Sequence, residues 1–326
     1  MAEGRRLSFA GRPDSVIPPG GEIWSDPIAM PLTRGADLTV SLYLPAADMV
    51  QTGHPGARGT NFFTEGDQLL ARHWPNATPV TRWYAISDIE VDGEGTEASV
   101  VAIGDSITDG FGVTSYRNTR WSDVLAQRLR LAPSTRGIGV LNAGIGGNRI
   151  LLDGLGPNLV ARFDRDVIAR TGVRWAILLE GVNDLGSLSR EGPRPPERHA
   201  ALVRQITDAY RQLAQRAHAH GIRVFGGTIT PFTGNDYYRP DAAIEADRQA
   251  VNHFIRTAGV FDAVIDFDKL LRDPAHPERL LPDYDSGDHL HPSENGYRVM
   301  GQAVPLALFR ASRSGAGRSL PDRPAD

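Results

Sequence analysis

Four short blocks hold side chains that could carry out acyl transfer. Gly104-Asp105-Ser106 puts a hydroxyl beside a carboxylate, and Asn142-Ala143-Gly144-Ile145-Gly146-Gly147-Asn148 is a glycine-rich turn. Glu180-Gly181-Val182-Asn183-Asp184 offers an amide, and Gly287-Asp288-His289-Leu290-His291-Pro292 has an Asp-x-x-His spacing. A serine hydroxyl is a poor nucleophile at neutral pH and needs a base within hydrogen-bond reach, itself oriented by a third group. Asp288 and His291 can supply both, because a carboxylate three residues before the imidazole can accept from one ring nitrogen and leave the other to take the serine proton. His289 is a rival base, but it adjoins Asp288 and points elsewhere if His291 points in. His54, His73 and His276 read as surface residues.

Acyl transfer also places negative charge on the former carbonyl oxygen, which needs donors where that charge develops. The Ser106 N–H, the Gly147 N–H and the Asn183 amide are the candidates. Each block has a plainer reading as well: Ser106 as a helix cap, Gly144, Gly146 and Gly147 as a tight turn, Asn183 as a cap or Asx turn. Asp105 is expected to tie down the nucleophile turn and Asp184 to hold the Asn183 loop, since buried backbone donors there need acceptors. Arg149 and residues 187–196 are candidates for the border of the substrate.

The elements that must position these groups follow from hydrophobic periodicity. Short apolar runs at 98–103, 139–142, 175–179, 224–230 and 263–267 predict five buried strands. Between them Trp121, Leu125 and Leu129 recur at helical spacing, as do Leu202, Ile206, Tyr210, Leu213 and Ala217. Alternating strands and helices of this length predict a doubly wound α/β domain, a parallel sheet covered on both faces, with its ligand crevice at the carboxyl ends of the strands. Three of the four blocks follow directly from such a strand. A last helix over 293–309 should bend at Pro305.

Residues 1–95 have a different pattern. Leu38, Val40, Leu42 and Leu44 alternate with Thr39, Ser41 and Tyr43, which predicts a half-buried strand, and a second strand-like stretch covers 82–91. With dense turn punctuation around them, 1–95 reads as a β-rich, sandwich-like module, 96–311 as the α/β domain and 312–326 as a flexible tail, with residues 93–95 as a linker. Edge strands of an incomplete sandwich could pair with another subunit.

Composition narrows the chemistry. The 326 residues are 40% hydrophobic and 23% charged, with a formal net charge of −4, which fits a soluble globular protein and gives no field for binding a phosphate backbone. With no cysteine, thiolate nucleophiles, thiolate zinc sites and disulfides are excluded. Lys269 is the single lysine, so a P-loop lysine is absent. The N-terminus has the charge of a leader but no apolar core after it, and no apolar run reaches the roughly 18 residues of a membrane span. As written, the chain reads as cytoplasmic, without nucleic-acid or membrane partners.

The four blocks, in this order, resemble the SGNH/GDSL hydrolase family of esterases and acylhydrolases over about residues 98–310. The resemblance places the family's serine, glycine, asparagine and histidine on Ser106, Gly147, Asn183 and His291, with Asp288 as the triad acid. It implies a three-layer α/β/α, flavodoxin-like fold. The run from Val101 through Asp184 is similar to a bacterial arylesterase/acylhydrolase branch associated with xylan degradation, whose members commonly carry a β-rich extension and are often secreted. The resemblance implies a serine esterase acting on short-chain acetyl or aryl esters, with a small-molecule or carbohydrate ester as substrate and with no cofactor or metal.

Other readings are a non-catalytic carbohydrate-binding scaffold and an acyl hydrolase of lipids or thioesters. A dinucleotide site is disfavoured because the glycines after the second strand lack the last Gly of G-x-G-x-x-G. Metal-dependent hydrolysis through Asp105, Asp109 and Asp288 is disfavoured because no H-E-x-x-H occurs and His218 and His220 do not share a helix face.

Overall fold

Five parallel strands form the centre of the larger structural unit. In this computed structural model the described residues are 4–33, 35–45, 53–71, 73–74, 76–91, 98–190 and 192–310. The chain divides into two compact units. One comprises Met1–Gly53 with Thr60–Ile89, and the other His54–Gly59 with Glu90–Asp326. The short segment His54–Gly59, inside the expected N-terminal module, therefore belongs to the larger unit. The expected linker at 93–95 and tail at 312–326 lie outside the described residues.

Towards the N-terminus the strands are short: β1 (Gly53–His54), β2 (Asn61–Phe63), β3 (Thr78–Val80) and β4 (Trp83–Tyr84). β2 and β3 pair antiparallel, Asn61 opposite Val80. Extra N-terminal strands are thus present, but the one expected at Leu38–Leu44 is not. Leu38, Val40, Leu42 and Leu44 are irregular and each about two-fifths exposed. Alternation alone does not make a strand: the backbone also needs a partner ladder, and none forms there among the described residues. Of the stretch 82–91, only β4 is extended and paired.

In the larger unit β5 (Ala98–Gly104), β6 (Ile138–Gly144), β7 (Val173–Leu179), β8 (Arg223–Gly227) and β9 (Ala263–Ile265) form one sheet in the order β6-β5-β7-β8-β9. All pairs are parallel. Val100, Val101, Ala102 and Ile103 of β5 are fully buried, as expected of a strand covered on both faces. The chain leaves β5 towards β6 on one side and crosses to β7 on the other, which opens a crevice at the end of β5. The register sharpens this: Gly104 lies opposite both Gly144 and Leu179, so the three loops carrying Ser106, Gly147 and Asn183 start side by side.

Helices complete three layers. They are α1 (Ser106–Asp109), α2 (Trp121–Leu131), α3 (Leu159–Phe163), α4 (Val182–Arg190), α5 (Pro196–Ala219), α6 (Ala242–Thr257), α7 (Phe267–Leu271) and α8 (Glu294–Ala303). α2 packs with α8, and α5 with α3 and α6. α2 buries Trp121, Leu125 and Leu129, and α5 buries Ile206, Tyr210, Leu213 and Ala217, the stripes set by sequence spacing. The expected bend at Pro305 is instead an end. α8 stops at Ala303 and a separate 3-10 turn covers Leu306–Phe309, because proline has no N–H to continue the ladder. No helix among the described residues is long and apolar enough to cross a membrane.

Candidate active site

Ser106 opens the single turn α1 immediately after β5. Asp105 caps that turn, its Oδ1 accepting the Ile107 N–H at 2.8 Å, and Gly110 ends it in the left-handed conformation with φ of 82°. The serine is thus held on a stiff corner, 6% exposed, with its Oγ 2.8 Å from His291 Nε2.

His291 sits on the turn before α8. Asp288 Oδ1 accepts the N–H groups of Leu290 and His291, and Oδ2 is 2.6 Å from His291 Nδ1. A carboxylate at Nδ1 fixes the tautomer with its proton there and leaves Nε2 as the acceptor facing Ser106. Burial by itself would raise the Asp288 pKa, but the ring and backbone bonds from His291 override it and hold the carboxyl well below the usual range. The Phe111 ring lies 4.1 Å from the imidazole, centroid to centroid, and covers one of its faces.

His289 points away, as its adjacency to Asp288 implied. Its Nδ1 is 2.5 Å from Asp285 Oδ2, and Asp285 Oδ1 accepts the Gly287 and His289 N–H groups. The same short loop therefore holds two Asp–His pairs, and one of them reaches the serine.

Gly147 has φ of 71°, a left-handed conformation that side chains rarely adopt, whereas Gly144 and Gly146 do not need one. Its N–H, like that of Ser106 at the start of α1, donates to no acceptor among the described residues. Asn183 lies in the first turn of α4. Its Nδ2 donates to Asn148 O at 2.7 Å, and its Oδ1 accepts from the Tyr238 hydroxyl at 2.7 Å. Asp184 grips the Ile150 and Leu151 N–H groups, which ties α4 to the end of the glycine loop. Burial pushes its carboxyl up to about 6 in spite of those bonds. Arg149, expected near the substrate, is folded back on the Asp153 carbonyl.

Several neighbours of these residues give no sequence signal. Arg162 is fully buried and spans two loops. Its Nε donates to Asn148 Oδ1 at 2.9 Å, Nη1 to Ala143 O at 2.7 Å and Nη2 to Gly104 O at 2.9 Å, and Nη1 also pairs with Asp166 at 3.0 Å. Glu180 is buried 3.9 Å from Arg162, and neither of its carboxyl oxygens has a hydrogen-bond partner among the described residues. Burial, then the nearby Asp105, pushes the Glu180 carboxyl well up. In sequence a helical arginine reads as a surface charge, and only the fold reveals its buried task. Arg162→Met removes the donor to Asn148 Oδ1 and the arginine's bonds to the Ala143 and Gly104 carbonyls, leaving, among the described residues, Gly104 O only the Ile145 N–H and Asp166 only Arg165, so it should lower folding stability by about 3–5 kcal/mol. A urea titration showing an unchanged midpoint would contradict this.

Asp109 contacts groups from the segment His54–Gly59. His54 Nε2 is 2.7 Å from its Oδ1 and Arg58 Nη2 2.9 Å from its Oδ2, so His54 is a partly buried partner and not the free surface residue expected. The Arg58 guanidinium also lies 5.6 Å over the Phe111 ring that covers His291.

The sequence model of the GDSL-like lipase/acylhydrolase family matches residues 102–299, a span that holds Ser106, Gly147, Asn183, Asp288 and His291. The chain belongs to this family. At that level it is an ester hydrolase. Among solved structures the hydrolase is similar to a lipolytic protein of the G-D-S-L family from Desulfitobacterium hafniense, at 24% identity over 64% of this chain and 97% of the other, with a TM-score of 0.47. It is likewise similar to a GDSL-like lipase from Bacteroides thetaiotaomicron, at 20% identity over 64% and 87% with a TM-score of 0.47. A catalytic mutant of an acetylxylan esterase from Geobacillus stearothermophilus aligns at 23% identity over 64% and 93%, also with a TM-score of 0.47. Comparison with curated proteins finds no match.

Proposed function

We propose that this hydrolase is a serine esterase that cleaves short-chain acetyl or aryl carboxylic esters through an acyl-enzyme. The 2.8 Å approach of Ser106 Oγ to His291 Nε2, with Asp288 on the other ring nitrogen, carries the reading. His291 takes the hydroxyl proton as Ser106 attacks the ester carbonyl, and Asp288 stabilises the imidazolium. The Ser106 and Gly147 N–H groups and the Asn183 N–H not used on Asn148 hold the oxyanion. As the tetrahedral intermediate collapses, His291 returns the proton to the leaving alcohol and the acyl group stays on Ser106. Water, deprotonated by His291, then attacks the acyl carbonyl and the acid departs as the serine takes back its proton.

Apolar surface flanks the reacting atoms. Phe111, 46% exposed, lies against His291, and Leu155, 78% exposed, lies so close to Gly147 that an added Cβ would meet it at 2.8 Å. Such a rim suits a small acyl or aryl group. Acetylated carbohydrate, the natural source suggested by the sequence resemblance to xylan-associated esterases, presents the same acyl group.

Hydrolysis of p-nitrophenyl acetate, butyrate and octanoate, with a chelator present throughout, tests this proposal. The acetate should turn over fastest and the octanoate at least about tenfold more slowly, with no change on adding chelator. A rate that rises with chain length would favour a lipid acyl hydrolase, and loss of activity with chelator would point to metal-assisted hydrolysis.

A further inference from the structure

Asn183 is the oxyanion donor whose orientation is least secured by its own helix, because a side-chain amide can rotate where a backbone N–H cannot. Its Nδ2 must face Asn148 O, which only accepts, and its Oδ1 must then face a donor. That donor is the Tyr238 hydroxyl at 2.7 Å. The second amide N–H is then left for the oxyanion.

The surroundings hold Tyr238 for this contact. Its N–H donates to Asn235 Oδ1 at 2.9 Å, and its carbonyl accepts from Ser189 Oγ at 2.9 Å. Asn235 in turn donates through Nδ2 to the Asp288 carbonyl at 2.8 Å, so the loop that carries the acid and base is splinted to the residue that holds the amide. Phe232 meets the ring edge-on. Gly186 in α4 completes the seat. It is three residues after Asn183 on the same helix face, and a Cβ there would fall 2.4 Å from the Tyr238 ring. Glycine inside a helix is unfavourable by roughly 1 kcal/mol relative to alanine. Here it admits the ring to the helix surface and brings the hydroxyl to Asn183. The phenol is 7% exposed, and burial raises its pKa, so the hydroxyl keeps the proton it donates.

We propose that Tyr238 is a positioning residue that orients and polarises the Asn183 amide, and that through Asn235 it sets this amide against the Asp288–His291 loop. The inference rests on the reading of Asn183 as an oxyanion donor. An amide whose carbonyl accepts a hydrogen bond is a better N–H donor, and an amide held in one orientation need not reorganise as charge develops.

The test is a double-mutant cycle on p-nitrophenyl acetate. Tyr238→Phe keeps the ring and its packing, and it should lower kcat about fivefold to tenfold with KM unchanged. Asn183→Ala should lower kcat by roughly 10²-fold. In the Asn183→Ala background, Tyr238→Phe should have no further effect. If Asn183→Ala is active at the wild-type rate, the oxyanion reading fails and the proposal falls with it. If Asn183→Ala behaves as expected while Tyr238→Phe has wild-type kcat, or lowers kcat equally in both backgrounds, the proposal alone fails. Should Asn183→Ala not fold, inhibition by phenylboronic acid, which forms a tetrahedral serine adduct, decides the matter. Tyr238→Phe should weaken it by the same factor as kcat, and unchanged inhibition overturns the proposal.

Discussion

Ser106→Ala should lower kcat by about 10⁶-fold and leave the fold intact. The size of the loss follows from the chemistry of the site: without Oγ no acyl group can be held, and His291 Nε2 loses the hydroxyl it contacts. The residual rate should be what donors and binding alone supply to attack by water. Retention of the fold follows from what holds the corner. The α1 turn is secured by the Asp105 carboxylate on Ile107 N–H and by Gly110 at its end, neither of which involves Oγ. Alanine is also the better helix former at the first position of the turn. Circular dichroism and thermal melting of the mutant should therefore match wild type while ester turnover disappears. A mutant that retains wild-type kcat would move the nucleophile elsewhere.

Asp288→Asn is the second large effect, and Asp285→Asn is its internal control. The substituted amide can still accept the Leu290 and His291 N–H groups through its single oxygen, so the turn survives, but it now presents an NH₂ to His291 Nδ1. The imidazole must then carry its proton on Nε2 and cannot accept the serine proton. A loss of about 10⁴-fold in kcat is expected. Asp285 makes the same kind of contact with His289, which does not reach Ser106, so Asp285→Asn should change kcat by less than about threefold. The reverse ranking would hand the acid's role to Asp285.

These effects can be assigned to single residues because the sequence itself groups them, though unevenly. The five strands are legible because a parallel strand buried on both faces reads as an unbroken apolar run, as in Val100–Ile103. Their ends are less so. The apolar pattern extends the last strand through 266–267, but Asp266 caps α7 and Phe267 opens it. The alternation at Leu38–Leu44 lacks the partner it needs, and Pro305 ends a helix that its position suggests it would only bend.

At the site, Ser106, Asp288 and His291 can be grouped because each lies in a short block whose internal spacing has chemical meaning. Arg162 and Tyr238 cannot. A buried arginine looks like a surface charge, and an aromatic in a turn looks like packing, until a contact such as Tyr238 to Asn183, 55 residues apart, is seen. The clue in the sequence is Gly186, a helix-breaking residue three positions after Asn183. His54 reads as a surface residue for the same reason, since its partner Asp109 is equally distant in sequence.

The central claim is a covalent acyl group on Ser106, and the most direct measurement is intact-mass spectrometry of the protein acid-quenched during turnover of p-nitrophenyl butyrate. The predicted result is a species heavier by one butyryl group, mapped by proteolysis to the peptide containing Ser106 and absent from Ser106→Ala. A burst of nitrophenol with no adduct, or an adduct on any other residue, would contradict it.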